Sequence, residues 1–234
     1  MQDIKFIKDI WYDGPDRMMY TKARSGHASK LFIRQGDLDS SCSVYSLMMV
    51  LLMLRKVNFN ELYSREAAME LSDEDRDSVM QLQDTFLRNL KGHYREEEAG
   101  YYFDTLNKKL RRCFGKEVKS KSYEAIGKKS NSPQKQALAD IIKDSIDNNR
   151  PIEIGITFEK NKGGHAVVVI GYTYHKHYLR LFCLDPGFDL PKTSFWNSIV
   201  DFAIKETDLR LYRDWYINPD ESIPVTVDEV LTIE

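Results

Sequence analysis

Residues 35–54 read QGDLDSSCSVYSLMMVLLML: a polar stretch, two serines, a cysteine, and then an apolar run. Val44, Leu47, Met48, Leu51, Leu52 and Leu54 recur at three-to-four spacing, which predicts a helix. Ser40 and Ser41 stand where helix N-caps stand, because a hydroxyl there satisfies an otherwise unpaired backbone N–H. The run ends at Leu54, about half the ~20 residues that a bilayer span requires. It therefore predicts a helix buried in a folded core. Cys42 falls at the opening of that helix, where free N–H groups and the helix dipole favour negative charge. A thiol attacks as its thiolate, so the position suits a nucleophile. It equally suits a small buried packing residue, which is what a cysteine before an apolar helix commonly is.

Downstream, the apolar spacing predicts further helices over 59–71, 73–90, 100–113 and 133–147, with the Lys-, Ser- and Gly-rich stretch 116–133 as an exposed loop. From Pro151 the pattern changes. PIEIGITF, HAVVVIGYTY and YLRLFCLD read as strands separated by Gly-rich or charged turns, and LRLYRDWYI and VTVDEVLTI add two more. Helices followed by an antiparallel sheet make an α+β fold. The expectation is one domain over residues 1–234, with a helical lobe over about 30–149, a sheet lobe over about 150–234, and a cleft between them. Residues 1–30 are mixed in character, with a turn at Asp13-Gly14-Pro15.

Of the 234 residues 42% are hydrophobic, enough for a sizeable core. The 34 basic and 36 acidic side chains leave a net charge of −2, so no global field draws nucleic acid or an anionic membrane. The N-terminus lacks the apolar core and small-residue site of a secretory signal. The three cysteines (Cys42, Cys113 and Cys183) form neither a disulfide framework nor a CxxC pair. A reduced protein is expected, cytoplasmic or delivered by a route that needs no classical signal peptide.

Three other residues carry chemistry. His165 follows Gly163-Gly164 and opens the strand AVVVIGY, a setting with an approachable ring that suits a general base near neutral pH. Asp185 ends the next strand, before Pro186-Gly187; a hairpin between the two strands brings its carboxylate beside His165, where it can hold the imidazole tautomer. Gln35, upstream of Cys42, offers a side-chain amide to an oxyanion. His27, His93, His175 and His177 lack such a setting and read as surface or local hydrogen-bonding residues.

These residues carry a resemblance. QGDLDSSCSVYSL is similar to the segment around the nucleophile of papain-like cysteine peptidases, and GGHAVVVIGY to their histidine strand. LDPG resembles the bacteriocin double-glycine leader peptidases and their relatives, in which Asp stands where papain has Asn. The region from Val57 to Asn149 has no part in the likeness. The resemblance implies Cys42 as nucleophile, His165 as base, Asp185 as orienter and Gln35 as oxyanion donor. It implies cleavage of a peptide or isopeptide bond in a protein or peptide substrate, with no metal or organic cofactor. Two features depart from the family. The step from Gln35 to Cys42 is one residue longer, and Ser43 stands where leader peptidases carry Gly and papain carries Trp. Transglutaminases and glutamine deamidases share the Cys–His–Asp order, and a binding module that keeps the residues without turnover is a further alternative. An effector or toxin role is compatible with either chemistry.

Overall fold

The computed structural model describes residues 3–35, 41–87, 101–124, 132–158, 163–175, 178–203 and 209–234. The apolar run becomes helix α1 (Cys42–Met53), in which Ser43, Val44 and the whole stretch 46–52 are buried. Such a helix has no solvent face, so it is the centre around which the other elements pack. Its start differs from expectation. Ser41 occupies the N-cap position, but its side chain makes no capping bond, and the Ser41 carbonyl accepts from the N–H groups of Val44 and Tyr45. Ser40 lies outside the described residues. The helix stops in a Schellman turn: Arg55 adopts φ 58°, with Arg55 N–H bonded to Leu52 O and Lys56 N–H to Leu51 O.

The helix expected over 59–71 is two helices, α2 (Phe59–Tyr63) and α3 (Arg65–Met69), because Ser64 Oγ accepts from Ala67 N–H and caps the second of them. Helix α4 (Asp73–Leu82) runs into a π-helical turn, Gln83–Leu87, where Gln83 Nε2 donates to the Glu61 and Ser64 carbonyls. The rest of that predicted helix, 88–90, lies outside the described residues. Helices α5 (Phe103–Phe114) and α6 (Ser132–Asp147) complete the set.

The strands depart further from the expected simple sheet. In chain order they are β1 (Lys5–Phe6), β2 (Ile10–Asp13), β3 (Met18–Lys22), β4 (Ala28–Lys30), β5 (Ser120–Glu124), β6 (Ile152–Phe158), β7 (Gly164–His175), β8 (Tyr178–Leu184), β9 (Ser198–Ala203), β10 (Leu209–Tyr212) and β11 (Ile223–Ile233). Every pairing is antiparallel. Strands β7–β6–β11–β10–β9–β8 form a run that closes through a β7–β8 pairing, so the sheet is a barrel without free edges along that circuit. Leu181, Val200 and Leu211 lie in register and are fully buried, while Arg180 and Asp201 alternate with them and form a two-bond ion pair.

β5 falls in the stretch expected to be an exposed loop; it pairs with the end of β11, and Ser120 is buried. Pairing with an apolar strand overrides its Lys- and Ser-rich composition. β1 lies on β7 at Gly171, where any side chain would collide: a Cβ there would be 2.2 Å from a Phe6 ring carbon and 2.6 Å from the Lys5 carbonyl. Residues 10–30 form the separate sheet β2–β3–β4, with the expected turn at its first hairpin. Helix α1 packs on β6 and β7, and its Ser46 Oγ donates to Ala166 O at 3.1 Å. One continuous apolar core runs from Ile7 through α1 to Ile233.

Candidate active site

Because α1 lies on β7, its first residue comes close to the first residues of that strand. Cys42 is half-buried, and its side chain is among the groups that raise the pKa of the His165 ring. The other two thiols are different. Cys113 and Cys183 are buried, and burial pushes both thiols up, Cys183 well above the ordinary range.

His165 pairs with Ile156 across β6–β7, and its side chain is about one-tenth exposed. Leu184 lies opposite Val168, so Asp185, one residue further on, arrives beside the opening of β7. Its Oδ1 stands 2.6 Å from His165 Nε2. A carboxylate on Nε2 leaves Nδ1 as the nitrogen available to the sulfur. Burial opposes charge on this ring, but Asp185 and Cys42 more than offset it and raise the His165 pKa from 6.5 to about 10.

The turn that presents Asp185 is held from three sides. Gly187 N–H donates to Asp185 Oδ1 at 2.8 Å. Asn197 Oδ1 accepts from Asp185 N–H at 2.7 Å, and Asn197 Nδ2 donates to the Asp185 and Phe188 carbonyls at 2.8 and 2.9 Å. A side chain at Gly187 would be tight: its Cβ would lie 3.1 Å from Asp185 Oδ1, with the His165 ring in ordinary contact at 3.5 Å. Asn197 escaped the sequence reading because nothing near it in the chain marks it; its only signal is a polar residue, 2% exposed, just before a buried strand. Asn197→Ala leaves three main-chain groups without these bonds. A loss of about 1–3 kcal/mol is expected, read as a lower Tm together with a lower turnover rate.

Gln35 is tied to the same turn, its N–H donating to Pro186 O at 2.9 Å. Its Oε1 is buried without a hydrogen-bond partner. The intervening residues 36–40 lie outside the described residues. Ser43, the departure noted beside the cysteine, is buried, and its Oγ accepts from Tyr101 N–H at 3.2 Å, holding the approach to α5. Of the histidines set aside, His27 is exposed and His175 half-buried; His93 and His177 lie outside the described residues.

Sequence reading also missed Glu153. It lies on β6, fully buried, and neither carboxylate oxygen has a hydrogen-bond partner. Burial, followed by the nearby Cys42 and Glu229, pushes this carboxyl well above the usual carboxylate range. Glu229 itself accepts from Phe103 N–H at the start of α5, at 2.9 Å. Among the described residues no helix is long and apolar enough to cross a membrane.

No curated protein matches the chain in sequence. The model of the Peptidase_C39 like family matches residues 30–203, a stretch that contains Gln35, Cys42, His165 and Asp185. Covering well over half of the sequence, that match makes the chain a member of the Peptidase_C39 like family, within the papain-like cysteine peptidase superfamily.

Proposed function

We propose that this protein is a cysteine peptidase that cleaves a peptide or isopeptide bond by thiolate acyl transfer, with Cys42, His165 and Asp185 as its triad. The observation that carries the reading is one imidazole engaged by a carboxylate at 2.6 Å and by a half-buried thiol at the mouth of a helix. Family membership supports the same class of hydrolase.

In this mechanism the Cys42 proton passes to His165, and the ring's raised pKa favours the imidazolium that results. The sulfur attacks the substrate carbonyl, and the oxyanion rests on the Cys42 N–H and the Gln35 amide. The carbon–nitrogen bond breaks, and the departing nitrogen takes the proton from His165. Water, deprotonated by the same ring, then hydrolyses the thioester and restores the thiol. Asp185 keeps Nε2 occupied throughout, so the ring presents one nitrogen to the reaction.

The test is mass spectrometry of an unfolded protein substrate incubated with the enzyme. The expected result is new chain termini, with an acid-trapped acyl adduct on Cys42. A mass gain of about 1 Da on intact substrate would assign glutamine deamidation instead. An unchanged substrate and an unmodified Cys42 would remove the acyl-transfer reading.

A further inference from the structure

We infer that Arg213 selects substrates carrying a carboxylate on the leaving-group side of the cleaved bond. This rests on the peptidase reading above and extends it to a substrate class.

Three rings and one cation are stacked at the edge of the site. The Phe158 ring lies against His165, with centroids 6.3 Å apart and planes 23° apart. The Arg213 guanidinium lies over Phe158 at 5.0 Å and over Phe188 at 5.2 Å. Phe158 ends β6, Phe188 follows the turn that holds Asp185, and Arg213 follows β10. Three separate elements thus place one cation a single aromatic layer from the base.

Arg213 is nevertheless exposed and makes no ion pair among the described residues. The described acids adjoining these residues are otherwise engaged: Asp185 with His165, Asp189 with Arg34 at 3.1 Å, and Asp214, next to Arg213 in the chain, with the Trp215 N–H at 2.6 Å. Two rings, at the ends of different elements, flank the exposed guanidinium and restrict where it can lie. A planar, pre-positioned guanidinium is matched to a carboxylate, which it can bind through two hydrogen bonds.

Mechanism decides which part of the substrate it meets. His165 must reach the departing nitrogen, so the segment beyond the cleaved bond passes over the imidazole and on toward Phe158 and Arg213. Two carboxylates could lie there, an Asp or Glu side chain or the free C-terminus of a short leaving segment. Arg213 lies beyond the residues that the family match covers, whereas Phe158, His165 and Phe188 lie within them.

The experiment is cleavage of a randomised peptide library, with free and with amidated C-termini, read by mass spectrometry. Wild type, Arg213→Gln and Arg213→Glu are compared, with Tm measured for each. Wild type should enrich Asp and Glu on the leaving side about two- to fivefold, the scale of one partly exposed charge contact. Arg213→Gln should erase that enrichment, and Arg213→Glu should turn it toward Lys and Arg. A preference that disappears on amidation assigns the C-terminal carboxylate, and one that survives assigns the side chain. Cleavage with no charge preference, or with one that Arg213→Gln retains at unchanged Tm, overturns the inference alone. No cleavage by wild type overturns the peptidase reading and the inference with it.

Discussion

Replacing His165 with alanine should lower turnover by about 10²–10⁴-fold, the usual contribution of a positioned acid–base group. Alkylation of Cys42 by iodoacetamide at pH 7 should slow as well, toward the rate of an ordinary thiol, which is only a few per cent thiolate there. In wild type the imidazolium persists across the neutral range, because Asp185 and the sulfur hold its pKa near 10. Cys42→Ala should abolish both labelling and turnover. Cys113 and Cys183 offer no substitute, since both are buried with their thiols pushed up. The labelling is site-specific and needs no knowledge of the substrate. Alkylation of Cys42 at the wild-type rate in a folded His165→Ala protein would mean that the two side chains do not act together.

A stability effect as large as that of Asn197→Ala, but of opposite sign, is expected at Glu153. A carboxyl with no exposure and no partner on either oxygen favours its neutral form in the fold. Its folded pKa therefore lies above the unfolded value of about 4.5. With that sign, the folded state suffers no penalty below pH 4.5 and loses stability as the pH climbs toward the folded value. His165 acts in the same direction in a higher window, its contribution being complete below pH 6.5 and lost as the pH rises through about 10.

Glu153→Leu, which fills a similar volume without a charge, should raise stability at pH 8 by about 1–3 kcal/mol. The gain should shrink by pH 4, where the wild-type side chain is neutral in both states. The remaining pH dependence of the variant should then fall mainly between pH 6.5 and 10, the His165 window. Thermal unfolding of both proteins from pH 4 to 9 measures this. Equal pH profiles would show that Glu153 is ionised and satisfied in the fold.

Asn197 and Glu153 show where sequence reading runs out. Each is a polar residue next to apolar neighbours on a buried strand or at its edge, and neither spacing nor charge pattern marks it. What makes Asn197 matter is the chance to bond three main-chain groups of a turn 9 to 12 residues earlier in the chain. What makes Glu153 matter is that both faces of β6 are covered, so an alternating residue has no solvent to face. Strand β5 was missed for a related reason: its partner β11 supplies the pairing that its own Lys- and Ser-rich composition does not announce.

Local sequence determined the buried helix that opens at Cys42, the strand that opens at His165 and the turn that follows Asp185. Each depends on neighbours a few residues away: apolar spacing, a Gly pair, a proline. Only the tertiary structure decided that the strands close into a barrel and that Arg213, after β10, lies over the Phe158 ring that stacks on His165. It also put Glu153 under cover. Those outcomes depend on pairings between residues tens of positions apart, where the free energy lies in burial that no local pattern records.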